Sequence, residues 1–75
     1  MPHVVIKCYK GRSKEQLQRT ADKIAECVAE ELEVSKHVVS VSIEEIDREK
    51  WDEVYRKDIY GNKEILYVEP GYTID

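Results

Sequence analysis

The sequence predicts an α/β (α+β) protomer built as one β-α-β unit: two parallel strands, one long helix joining them, and an extended carboxyl-terminal tail. Three observations predict it. His3 to Tyr9 and Val38 to Ile46 alternate in the period of two expected of strands. Between them, apolar residues recur at helical spacing behind a capping signal. Two strands separated by a helix run parallel through a right-handed crossover.

In β-strand one, Val4, Ile6 and Cys8 share one face, and Val5, Lys7 and Tyr9 share the other. Val5 and Tyr9 make that second face partly apolar. Lys10-Gly11-Arg12 breaks the strand, with Gly11 free to take a positive φ. Ser13, followed three residues later by Gln16, forms a capping box that starts a helix. Leu17, Ala21, Ile24, Val28 and Leu32 then form one stripe, so the helix is expected from about Ser13 to about Glu33. A short connector over Val34 to His37 precedes the second strand. There Val39, Val41 and Ile43 oppose Ser40, Ser42 and Glu44. Trp51, Val54 and Tyr55 are spaced for one or two helical turns, with Asp47 or Asp52 near the start. After the turn at Gly61-Asn62, Ile65 to Val68 is a short apolar run ahead of a second turn at Glu69-Pro70-Gly71. The last fifteen residues are expected to form a short strand or hairpin-like tail.

The chain has 75 residues, enough for one domain over residues 1–75. A domain of that size buries only about 60% of its unfolded surface. Its single core rarely supplies more than ~3–5 kcal/mol of net stability. The composition is 41% hydrophobic and 37% charged, with 12 Lys+Arg against 16 Asp+Glu and a net charge of −4. A nucleic-acid binder would show a basic stripe, and a polybasic membrane anchor would show a basic cluster. Neither is present. No run approaches the ~20 apolar residues of a membrane span, and the first ten residues lack the parts of a signal peptide. A cytoplasmic location is expected. Cys8 and Cys27 match no zinc spacing; reduced thiols are the plain reading, and a single disulfide is the alternative.

A two-stranded sheet with one helix leaves its edges and its second face bare. Exposed edges invite pairing with another chain, and a two-fold dimer is the commonest solution. The expected assembly is a homo-oligomer, a dimer with a four-stranded sheet carrying two helices.

Familiar catalytic vocabulary is thin. There is no glycine-rich phosphate loop, no metal-ligand spacing and no nucleophile constellation, so neither cofactor nor metal is expected. Glu44 and Glu45 are adjacent on a strand and point to opposite faces. One feature remains, at the first bond. Initiator methionine is generally removed when the second residue is small, and removal here leaves Pro2 with a free secondary amine directly before a rigid strand. An ordinary α-amino group titrates near 7.7–8.0 and a proline amine is more basic. Apolar surroundings or a nearby cation would lower it toward the range useful to a general base.

In order along the chain, Pro2, an alternating strand, Gly11-Arg12-Ser13, a capped helix, a Val/Ser strand and Trp51 resemble the 4-oxalocrotonate tautomerase family. The resemblance covers the whole chain. The tail, with Val54-Tyr55, Asp58-Ile59, Leu66-Tyr67 and Pro70-Gly71-Tyr72, is similar to the small dimeric bacterial branch of that superfamily. The resemblance implies a cofactor-independent isomerase acting on small enol or α-keto acids. It implies Pro2 as the general base and acid, Arg12 as the group holding a substrate carboxylate, and Trp51 as an aromatic wall around the proline site. It also implies that Ser40 stands where the hexameric type carries a second arginine that polarises the substrate carbonyl. Ser40 supplies no cation, so a hydrogen bond, an ordered water, Lys36 or His37 would take that part. Arg12 lies roughly 20–25 Å from Pro2 along one strand, so a shared site needs Arg12 from another subunit. The alternative to an enzyme is a dimeric β-α-β module that binds a small ligand or a protein, with Pro2 incidental.

Overall fold

In the computed structural model, which describes residues 1–74, β1 spans His3–Tyr9, the segment that alternates. Gly11 turns the chain away from it at φ 118°, a conformation that side chains disfavour. Nothing lies within 4 Å of where a Cβ at Gly11 would sit, so backbone conformation, not space, makes glycine fit there. Ser13 Oγ then accepts a hydrogen bond from the Gln16 backbone N–H at 3.1 Å, and helix α1 runs Lys14–Glu31. Leu32 caps its end and is 61% exposed, so the apolar stripe finishes at Val28.

β2 covers Ser40–Ile46 and lies parallel to β1, in the register His3↔Ser40 through Tyr9↔Ile46. The expected second strand began two residues earlier. Ser35 Oγ accepts from the His37 backbone N–H at 3.2 Å and folds Lys36–Val38 into a 3-10 turn, which delays the strand. The ladder continues past its ends, with Ser40 N–H donating to the Pro2 carbonyl and Lys10 N–H donating to the Ile46 carbonyl.

After a 3-10 turn at Arg48–Lys50, the chain enters a short helix, α2, at Trp51–Val54. It runs on as a π-helical turn at Tyr55–Ile59 and 3-10 turns at Tyr60–Ile65. This helical segment crosses the sheet face that carries Lys7 and Tyr9. Asp58 pairs with Lys7, and the Trp51 ring meets Tyr9 edge-on, 5.3 Å between centroids. The alternate side chains Val4, Ile6, Val41 and Ile43 therefore lie on the α1 side, where they are half-buried.

The tail differs from expectation. Ile65 closes a 3-10 turn, and Leu66 to Ile74 is irregular and forms no strand. Tyr67 and Val68 are 97% and 84% exposed, and the apolar run pairs with neither edge of the two-stranded sheet. The expected tail also included Asp75, which lies outside the described residues. Cys8 and Cys27 are both free thiols.

The chain is flat, 40 × 32 × 18 Å, with a radius of gyration of 13.8 Å, against about 11 Å for a compact domain of this length. Among the described residues Val54 alone is a buried apolar side chain.

Among the described residues the Lys7–Asp58 pair is the one side-chain hydrogen bond between sheet and helical segment. Its hydrogen bond to Asp58 raises the Lys7 pKa above 10.5, against a smaller lowering by partial desolvation and with added support from the charges of Asp58 and Glu44. A raised lysine pKa means stability that is fully present below about pH 10.5 and lost as pH climbs through the folded-state value. Asp58→Asn should therefore be less stable than the parent in urea from neutrality to about pH 10, with the gap closing at higher pH. A gap that does not change with pH would assign the pair no such role.

Candidate active site

The residues singled out by the sequence fall into two groups at opposite ends of the sheet. Pro2 and Ser40 form the first. Pro2 precedes β1 and is half-buried, and its carbonyl accepts from Ser40 N–H at 3.2 Å, which locks its position to the start of β2. Met1 before it is 96% exposed, so the bond between them is open to cleavage. The Ser40 hydroxyl lies 2.7 Å from His3 Nδ1 and is hydrogen-bonded to it, on the sheet face that Lys7 shares. Lys36 and His37 sit in the turn just before β2, at the same end. Lys36 Nζ is held 3.6 Å from Glu26, on α1.

Arg12 and Trp51 form the second group. The parallel sheet puts the loop after β1 and the turn after β2 side by side. Arg12 Nη1 donates to the Tyr9 carbonyl at 3.1 Å, which fixes the guanidinium against the strand end and leaves its other donors available. Tyr9 is the hub. Trp51 packs on its edge, and the Arg48 guanidinium lies 4.5 Å from its ring centre in a cation–π contact. Trp51 Nε1–H donates to Tyr72 Oη at 2.8 Å, and Tyr72 packs against Tyr55.

A cavity of about 480 Å³ opens here, lined by Lys7, Cys8, Tyr9, Trp51, Tyr72 and Ile74. A second groove of about 470 Å³ continues along the face past Val5, Val54 and Ile59, with Trp51 and Lys7 common to both. This is a mostly apolar trough rimmed by cations. Lys7 stays protonated through its tie to Asp58, and Lys10 through a hydrogen bond to Asp47 at 3.0 Å, so neither is a base near neutrality. Among the described residues no group of three or more His, Cys, Asp or Glu could hold a metal ion.

One chain thus puts Pro2 with Ser40 at one end of β1, and Arg12 and Trp51, each against Tyr9, at the other, separated by the length of β1, roughly 20–25 Å. Trp51, expected as a wall around the proline, stands with Arg12 at the far end. Tyr9, Arg48 and Tyr72 were not among the expected site residues. Tyr9 carried a signal, since it shares the Lys7 face. Arg48 sits in a turn and Tyr72 in an irregular tail, where no periodicity points to a site.

The family model described as "Tautomerase enzyme" matches residues 2–52, which include both pairs. The chain is 36% identical over 73 residues to a protein named "Probable tautomerase" from Xylella fastidiosa, covering 96% of this chain and 89% of that one. It is 29% identical over 75 residues to Tautomerase PptA of Escherichia coli O127:H6, covering 99% and 100% respectively. A β-α-β unit opened by a proline and followed by a helical segment, matched over its first two thirds by the family and end to end by its relatives, belongs to the tautomerase family.

Proposed function

We propose that this protein is a tautomerase that catalyses keto–enol proton transfer on small enol or α-keto acids, with the amine of Pro2 as base and acid. Met1 must first be removed. The base then takes a proton from carbon, the C–H electrons form the enolate double bond, and the carbonyl pair moves onto oxygen. The resulting prolinium returns the proton to that oxygen, giving the enol, or, in a conjugated substrate, to the γ carbon; ketonisation runs the same steps in reverse. Arg12 suits the substrate's carboxylate, because guanidinium grips it through two parallel hydrogen bonds.

The observation that carries this reading is the split of the site between the two ends of β1. A two-fold pairing of β1 edges, antiparallel and centred near Ile6, would set Pro2 opposite Lys10 of a second copy, beside that copy's Arg12, Tyr9 and Trp51. Both sites of such a dimer are complete, and neither is complete in one chain. The surface supports a second copy. The chain exposes 6311 Å², about 1,500 Å² more than the ~4,800 Å² of a compact monomer of 8.8 kDa. Val5, Ile65, Tyr67 and Val68 are among its exposed apolar residues. β1 is also the better edge for pairing, since β2 carries Glu44 and Glu45. Two free thiols fit a reducing compartment such as the cytoplasm.

The test is ketonisation of a small 2-enol acid by protein whose intact mass proves the loss of Met1, with light scattering on the same sample. Turnover by a dimer is expected. A stable, inactive monomer at micromolar concentration would overturn the reading and favour a binding module.

A further inference from the structure

The reaction needs a hydrogen-bond donor where negative charge develops on the substrate's carbonyl oxygen. Ser40 is poorly suited, being bonded to His3 and carrying no charge. The irregular tail supplies another group. Tyr72 Oη accepts the Trp51 indole N–H at 2.8 Å, which occupies oxygen lone-pair density and aims the phenol at the cavity wall. Among the described residues nothing accepts the phenol's own proton. A hydroxyl that already accepts a hydrogen bond is the stronger donor for it, because linked hydrogen bonds polarise one another. Tyr72 is 45% exposed and lines the same cavity as Trp51 and Tyr9, so that O–H is accessible to a ligand seated there. Its ring is braced by Tyr55, 5.8 Å away between centroids, so the donor is held in place before substrate arrives.

Resting on the tautomerase reading above, we propose that Tyr72 donates its phenolic hydrogen bond to the substrate's carbonyl oxygen. It does so in a composite site whose carboxylate clamp is Arg12 of the same chain and whose base is Pro2 of the other subunit. No proton leaves Tyr72. As Pro2 removes the proton from carbon, the oxygen gains charge and the O–H···O bond tightens. As prolinium returns the proton, the bond relaxes. The interaction is strongest at the transition state, so it acts on turnover and not on affinity. Tyr72 thus takes the place that Ser40 leaves empty.

Tyr72→Phe tests this, because it keeps the ring packed on Tyr55 and deletes only the hydroxyl. The expected result is a fall in kcat of about 10²-fold, as for loss of one oxyanion donor, with KM held within about threefold. Circular dichroism should be unchanged. Trp51 is the only tryptophan in the chain, so its emission reports on the same cavity in each protein. Emission close to the parent's shows the wall still in place. An unchanged kcat, or a rise in KM with kcat retained, would overturn the assignment and leave Tyr72 as a prop for Trp51. The parent with a blocked amino terminus is assayed alongside. If blocking leaves activity intact, the proline reading itself fails; if blocking abolishes activity and Tyr72→Phe does not lower kcat, only the Tyr72 assignment fails.

Discussion

Protein carrying one extra residue before Pro2 should lose tautomerase activity by about 10²–10⁴-fold, the range a positioned general base contributes. Acylation turns the proline nitrogen into an amide, whose lone pair is delocalised into the carbonyl. Lys7 and Lys10 do not replace it, because both are held protonated by carboxylates. The fold should be indifferent to the addition. Pro2 enters the sheet through its carbonyl, which accepts from Ser40 N–H whether or not a residue precedes it. The circular-dichroism spectrum should therefore match that of the processed protein. Pro2→Ala should fall between the two, since it keeps a primary amine at the same place. Full activity in protein proven by mass to retain Met1 would exclude the mechanism.

Arg12→Ala should raise KM for acidic substrates by roughly ten- to hundredfold, corresponding to ~1.5–3 kcal/mol for hydrogen bonds to a charged group, with a smaller loss in kcat. Arg12 is exposed, and among the described residues its one hydrogen bond is to the Tyr9 carbonyl, so its removal opens no cavity. The split between KM and kcat separates a binding role from a chemical one. Arg48 stays in place over Tyr9 in that variant, so some positive charge persists and activity should not vanish. Kinetics identical to the parent's would remove Arg12 from the site.

Much of the fold was legible because local rules agreed with one another. His3–Tyr9 alternates cleanly and pairs over its whole length, and Ser13 with Gln16 marks the helix start to the residue. Boundaries slipped where a side chain intervened. Ser35 bonds the His37 backbone and holds Lys36–Val38 in a tight turn, although Val38 and Val39 have strand composition. Ile65 to Val68 failed for a different reason. Its composition is that of a strand, but a strand needs an edge to pair with, and this run lies along neither edge of the sheet. The candidate site divided the same way. Pro2, Arg12 and Trp51 were readable because each sits at a marked place: a chain start, a turn after a strand, the start of a helix. That Trp51 joins Arg12 at the far end followed only from the register of β1 against β2. Tyr72 reaches Trp51 across 21 residues of irregular chain, a contact that no pattern encodes.

The most direct test of the shared site is subunit complementation. One chain carries an extra residue before Pro2 and supplies an intact Arg12; the other carries Arg12→Ala and supplies an intact Pro2. Each alone is strongly impaired. Mixed and allowed to exchange, they form mixed dimers that hold one fully intact site and one doubly defective site. With equal amounts and random pairing, about one quarter of all sites are intact, because the two-fold contact is the same patch on both chains. Activity should recover to about a quarter of the parent's at subsaturating substrate. No recovery above the sum of the separate variants, with mixed dimers confirmed by native mass spectrometry, would show that Pro2 and Arg12 do not meet across the interface.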